Sequence, residues 1–244
     1  SLRIGREKIG EKLTKSYSVN LDYTGSFDNQ KSDVDLDKTE GGMPIETYKS
    51  TYNKFSVSGN FSFKSRKEDG FFRLWEGITS FSYEKDEINR WKHVSLGKST
   101  PVSTALESGE HDAMIIPAKY DAKLDVEGRP FYGYASTSVI FAKSISRLQI
   151  GAEWNMDKNY GRGSIFDTSK PFSTSMSVRP RPYNVIPAMH RFSAFAEESL
   201  SKSIGTLSID WIIGLRAEMM TGAGKKFAVD MKPYLDPRSN LRLT

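Results

Sequence analysis

The sequence predicts an all-β protein: antiparallel strands that cross a membrane as part of a β-barrel. Three observations carry this. Residues 207–219 alternate Leu207, Ile209, Trp211, Ile213, Leu215, Ala217 and Met219 with Ser208, Asp210, Ile212, Gly214, Arg216 and Glu218. A period of two is a strand, and an apolar row backed by a charged one suits a wall between lipid and a wet interior. The connections between such stretches alternate long and short, so in an antiparallel meander all the long loops fall at one end. Finally, the chain has no apolar run near the ~20 residues that a membrane helix needs.

From the start, the first fifteen residues, with Arg6, Glu7, Lys8, Glu11, Lys12 and Lys15, read as a charged connector or short helix. Tyr17, Val19, Leu21 and Tyr23 then alternate with Ser18, Asn20, Asp22 and Thr24. A first long loop is expected near residues 26–51, where Asp, Lys, Gly and Asn dominate. Phe55, Val57, Phe61 and Phe63 restore the alternation, and Asp69-Gly70 marks a hairpin turn. The next strand runs from Phe71 to Tyr83, followed by a charged break at Lys85 to Glu87 and an extended piece at Arg90 to Ser95. A second long loop is expected over 96–129, with a short alternating piece at Tyr120, Ala122, Leu124 and Val126.

Strands follow at Phe131 to Ala142 and at Leu148, Ile150, Ala152, Trp154 and Met156, with a short connection at Lys143 to Ser146. A third loop over 158–187 is rich in Gly, Ser and Pro. Met189 to Glu198, a connector at Leu200 to Gly205, the strand from Leu207, a loop over 221–231 and a last extended piece from Lys232 complete the chain. About eight strands are visible, and residues 1–244 read as part of one larger barrel domain.

Composition narrows the class. A mean hydropathy of -0.51 would fit a soluble protein, but barrel strands spend half their residues on a polar lumen and their outer loops are polar too. A soluble all-β binding module or adhesin is the alternative that this average leaves open, and a passive porin is the alternative within membranes. The chain has no cysteine, which removes disulfides and thiolate chemistry. The net charge of +5 permits an anionic partner such as lipopolysaccharide, yet the basic residues are dispersed and form no nucleic-acid patch. Ser1-Leu2-Arg3-Ile4-Gly5 lacks the features of a signal peptide, so a leader removed earlier or an internal piece is expected.

Candidate site residues follow from the faces. Asp210, Arg216 and Glu218, with Arg238, Asn240 and Arg242 on the next strand, are expected to face the lumen. Such charges solvate an interior and pair across strands more often than they bind substrate. Leu207, Ile209, Trp211, Ile213, Leu215, Leu148, Ile150 and Trp154 are expected to face lipid. Arg179, Arg181 and Tyr183, stiffened by neighbouring prolines, are candidates for an anionic ligand. Asn159 and Arg162 belong to Asn-Tyr-Gly-Arg-Gly, whose spacing could aim backbone N–H groups at an anion or simply make a turn. His93, His111 and His190 lie in separate segments with no ligand spacing, and no nucleophile elbow or phosphate loop is present. Neither a metal, a cofactor nor an enzymatic activity is expected.

Several pieces in order resemble the barrel of TonB-dependent outer-membrane receptors, particularly those of Bacteroidetes. They are Gly151-Ala152-Glu153-Trp154, Asp157-Lys158-Asn159-Tyr160-Gly161-Arg162-Gly163, Arg179-Pro180-Arg181-Pro182-Tyr183 and Phe195-Ala196-Glu197-Glu198-Ser199. Ile213-Gly214-Leu215-Arg216 and Asp236-Pro237-Arg238-Ser239-Asn240-Leu241 complete the set. The resemblance implies a segment of a pipe of about twenty-two strands in a Gram-negative outer membrane, importing a scarce nutrient such as a siderophore, glycan, peptide or cofactor. It further implies energy from the TonB complex, reached through an N-terminal plug, and room for a surface lipoprotein partner. No plug or TonB-contacting segment is recognisable here, and the last residues are not the aromatic-terminated strand expected at the end of such barrels.

Overall fold

The computed structural model describes residues 1–31, 46–67, 70–103, 113–172, 181–205, 207–221 and 234–243. Alternating side chains build thirteen strands: β1 (Leu2–Ile9), β2 (Leu13–Lys31), β3 (Glu46–Ser65), β4 (Phe72–Ser95), β5 (Thr100–Ser103), β6 (Ala113–Ile116), β7 (Lys119–Gly128), β8 (Pro130–Lys143), β9 (Ser146–Asn159), β10 (Gly163–Ile165), β11 (Met189–Ile204), β12 (Leu207–Thr221) and β13 (Tyr234–Leu243). The described residues contain no helix. The main sheet is an antiparallel meander in the order β1-β2-β3-β4-β8-β9-β11-β12-β13, and β5 and β6 form a separate hairpin. β7 pairs with β4 in the register that β8 continues, Asp86 opposite Gly128 and Tyr83 opposite Phe131, so the two are one stave interrupted at Arg129. β10 extends β9 in the same way after a one-residue shift.

The short connections, residues 10–12, 66–71, 144–145 and 205–206, all lie at one end of the staves, and the long ones lie at the other. Two short turns rely on left-handed backbone, at Ser144 (φ 55°) and Gly205 (φ 61°), which lets the strands reverse tightly.

Several boundaries differ from the sequence-based expectation. The charged opening is strand, because β1 lies along β2 from Leu2 opposite Leu21 to Ile9 opposite Thr14. β2 continues to Lys31 and β3 begins at Glu46, which trims the loop expected over 26–51. Lys85 to Glu87 interrupt nothing, since β4 is continuous. The regions 96–129 and 158–187 contain β5 to β7 and β10, and the connector expected at Leu200 is strand as far as Ile204. Most of the loop expected over 221–231 lies outside the described residues.

Register assigns every stave the same two faces. On one lie Tyr17, Val19, Leu21 and Tyr23 of β2, Phe55, Val57, Phe61 and Phe63 of β3, Trp75 and Phe81 of β4, and Leu148, Ile150 and Trp154 of β9, joined by Leu207 to Met219 of β12. The packing is inside-out: Tyr17, Val19, Leu21 and Tyr23 are exposed, while Ser18 between them is buried. No described segment covers the apolar face. Among the described residues the buried apolar cluster is Ile116, Tyr120, Ala122, Leu124 and Phe172.

The apolar band has a defined height. It spans 55–63 on β3, 75–83 on β4, 131–141 on β8 and 148–156 on β9, nine to eleven residues each. Tyr23, Phe55, Tyr83 and Phe131 stand side by side across four staves at its upper limit. Phe63 and Trp75 pair near its lower limit, with ring centroids 5.4 Å apart. Following the register from Lys64 through Leu74, Ile140, Gln149 and Glu197 leads to Gly214. Lys64 is next to the lower end of β3, whereas Gly214 is seven residues above the lower end of β12. A level lower rim therefore needs strands tilted by roughly 40°, from ~3.3 Å per residue against ~4.8 Å per strand spacing.

Above the band the polarity reverses. On the face that carries Phe81 and Tyr83 lower down, β4 goes on with Lys85, Glu87 and Asn89, and β7 places Asp121, Lys123, Asp125 and Glu127 beside them. The opposite face, serine-rich below, there carries Tyr120, Ala122 and Leu124, buried with Ile116 and Phe172. The same staves thus carry their apolar residues mainly on one face below Tyr83 and on the opposite face above it.

Candidate functional site: the polar face

The polar face is built from small hydroxyl and amide residues because its strands offer them at every second position. Ser18 Oγ donates to Asn60 Oδ1 at 2.9 Å, and Asn20 Nδ2 donates to Ser58 Oγ at 3.2 Å. Further round, Arg216 is the hub of a cluster drawn from three staves. Its guanidinium donates to Glu153 Oε2 at 2.7 Å, to Glu218 Oε1 at 2.6 Å and to Ser193 Oγ at 3.1 Å. The Glu153 contact passes over β11 to reach β9, so it ties staves that do not hydrogen-bond through their backbones. This arrangement makes the face a wet, charge-balanced surface.

Asp210, Arg216 and Glu218 share this face with Arg238, Asn240 and Arg242, since Asp210 lies opposite Arg242, Ile212 opposite Asn240 and Gly214 opposite Arg238. Asp210 accepts from Ser201 Oγ at 2.6 Å, and Arg238 pairs with Asp236 at 2.7 Å. Leu207, Ile209, Trp211, Ile213, Leu215, Leu148, Ile150 and Trp154 lie together on the other face. There the three tryptophans of the apolar band, Trp75, Trp154 and Trp211, keep their indole N–H groups satisfied. Trp75 donates to Thr137 Oγ1 at 2.9 Å, Trp154 to His190 Nδ1 at 3.2 Å and Trp211 to Ser239 Oγ at 3.1 Å. Internal partners of this kind are what a hydrocarbon environment demands, because no water replaces them.

The loop candidates separate. Arg179 lies outside the described residues. Asn159 Oδ1 accepts from the backbone N–H groups of Arg129 and Gly161, both at 2.9 Å, which makes it the clip of a turn. Arg162 is drawn to Glu127 at 2.6 Å, where Arg129 also binds at 2.7 Å. Gly163 has φ 77° and meets the backbone of Arg181, whose carbonyl oxygen would lie 1.8 Å from any added Cβ. The glycine pair therefore serves close backbone packing: Arg181 bridges to Ser164 there, and Tyr183 opens the following turn, its carbonyl accepting from Ile186 N–H at 3.1 Å. Tyr120, above the band, donates to the Pro171 carbonyl at 2.7 Å, and burial raises its phenol pKa, so it stays a donor. His93, without a carboxylate nearby in sequence, meets Asp121 at 2.9 Å across β4 and β7.

The Arg162 hydrogen bond, helped by Arg129 and opposed by partial burial, holds the Glu127 carboxyl below its ordinary value of 4.5. A depressed carboxylate stabilises the fold above its unfolded-state pKa, and that contribution disappears as pH falls through the folded value. Protection of the residue 160–165 amides against exchange, taken relative to their intrinsic rates at each pH, should accordingly be high at pH 7 and fall below the ordinary carboxylate range. A flat profile down to pH 3 would separate Glu127 from the order of this segment.

No family model matches this sequence, and neither a curated protein nor a solved structure matches it.

Proposed function

We propose that this chain is a stretch of the wall of a transmembrane β-barrel in a Gram-negative outer membrane, within a receptor of the TonB-dependent type. On this reading the apolar band contacts lipid and lipopolysaccharide acyl chains, while the polar face lines a wet interior. The long connections gather at the outer rim, where they meet a scarce nutrient before it is drawn inward with energy from the TonB complex. The chain performs no chemistry of its own.

The observation that carries the reading is the reversal of polarity at one height across neighbouring staves. A soluble sheet has one medium on its open side and has no reason to exchange its faces part-way up. A wall leaving a bilayer does, since its outside passes from hydrocarbon to water. A band nine to eleven residues long on each stave also matches the ~9–11 that a tilted strand needs to cross. β1 and β13 run in the same direction, the ends of a nine-strand meander, so antiparallel closure takes an odd number of further strands. A larger barrel supplies them.

Fractionation tests the assignment. The chain should remain with membranes through high-salt and carbonate washes and become monodisperse only in detergent. A stable, monodisperse product without detergent would favour a soluble module instead.

A further inference from the structure

We propose that the lower rim of the apolar face holds a headgroup site for an anionic phospholipid, centred on Lys8 and Lys15. The inference rests on the reading above, in which that face meets lipid. Register sets Lys8 of β1 directly opposite Lys15 of β2, and Lys15 opposite Phe63 of β3, so both lysines share the apolar face. Arg6, opposite Tyr17, is the next residue up on the same face of β1. With strands ~4.8 Å apart and ~6.6 Å between alternate residues, the three cations occupy one small patch. β1 ends at Ile9 and β2 begins at Leu13, which puts the patch at the rim itself. All three side chains are exposed, and the Lys15 ammonium lies 5.9 Å from the centre of the Phe63 ring.

What singles out the patch is a like-charge pair with no counter-charge. Like charges directly opposite across a sheet destabilise it, and more so where hydrocarbon lies alongside and screening is weak. Among the described residues only two registered pairs are of this kind, Lys8 with Lys15 and Glu87 with Glu127. The glutamates are bridged by Arg129, which reaches Glu127 at 2.7 Å and Glu87 at 3.6 Å. The lysines gain Arg6 instead, a third positive charge. Acids close in sequence do not answer them: Glu7 stands opposite Ser16 on the polar face, and neither it nor Glu11 forms an ion pair among the described residues.

No described residue supplies the anion, and the surroundings of the patch indicate what would carry it. Leu2 and Ile4 on β1, with Tyr17, Val19 and Leu21 on β2, continue the same face upward from the cations, and all are exposed. A free phosphate would use the cations alone. A phosphodiester headgroup with acyl chains uses both, its phosphate against Lys8, Lys15 and Arg6 and its chains along the apolar row. Above the band the outer face does not repeat the pattern, since Lys85 is paired with Glu87 at 2.9 Å.

The test is urea unfolding of the full chain in vesicles of phosphatidylcholine, alone or mixed with an equal part of phosphatidylglycerol. Lys8→Gln and Lys15→Gln should change sign between the two. In phosphatidylcholine each relieves repulsion and should raise the folding equilibrium about twofold. With phosphatidylglycerol each should lower it about fivefold, the usual effect of one cation at an anionic surface. Lys202→Gln, on the same face at the rim of β11 but opposite Ile209, should show no such reversal. The same sign in both vesicles for the two lysine variants, or an equal reversal for Lys202→Gln, would overturn the site. Inorganic phosphate added to the phosphatidylcholine vesicles should not reproduce the effect of phosphatidylglycerol; if it does, the occupant is a free anion and the lipid assignment is overturned. A chain that enters both vesicles without headgroup dependence removes only this site, whereas one that stays out of both removes the membrane wall as well.

Discussion

Ile213→Arg should destabilise the chain in lipid vesicles by about 2–4 kcal/mol, the cost of a basic side chain near the middle of a lipid-facing strand. Ile213 stands midway along the apolar row of β12 and is 40% exposed, with no protein layer over it. Urea unfolding in vesicles measures the loss. The exposure is what makes the prediction discriminating, because an exposed isoleucine in water tolerates arginine within about 0.5 kcal/mol. The same substitution therefore reads which medium lies outside the wall. A negligible loss at Ile213 together with a large one for Glu218→Leu would mean that the faces are reversed.

Above the band the rule should invert. Leu124→Asp places a carboxylate against Ile116, Tyr120 and Phe172, where Leu124 is 8% exposed, and should cost about 3 kcal/mol or more through lost packing and an unpaired buried charge. The neighbouring Lys123→Leu, on the outer face, should change stability by no more than about 0.5 kcal/mol. Because this region is a small cluster at the end of the staves, the loss should be local. Amide exchange within 119–128 and 163–172 should accelerate while the band keeps its protection. Equal effects at both positions would remove the polarity reversal from the argument.

The strands were readable in the sequence because period-two alternation depends only on a strand keeping one apolar and one polar face. Leu207 to Met219, Leu148 to Met156 and Tyr17 to Tyr23 each keep that pair of faces throughout, so they stood out. β4 does not, for the face that carries Phe81 and Tyr83 turns polar at Lys85, Glu87 and Asn89, and Lys85 to Glu87 therefore resembled an end. β1 was hidden for another reason, since Arg6 and Lys8 occupy the face that also carries Leu2 and Ile4. The site was legible in part. Charge on β12 was visible, but the partner of Arg216 lies on β9, 63 residues away and across an intervening stave. Arg162 looked available to a ligand until Glu127, 35 residues distant, was brought beside it.

The chain's four tryptophans offer the most direct test. Trp75, Trp154 and Trp211 lie in the apolar band, while Trp91 stands on the same face of its stave but opposite Thr47 and Lys123, above the reversal. Variants retaining one tryptophan each, reconstituted in vesicles with acyl-brominated lipid, report which indoles touch hydrocarbon. Quenching should be strong for Trp75, Trp154 and Trp211 and absent for Trp91. Equal quenching of all four, or none for the three in the band, would contradict a wall with lipid on that face.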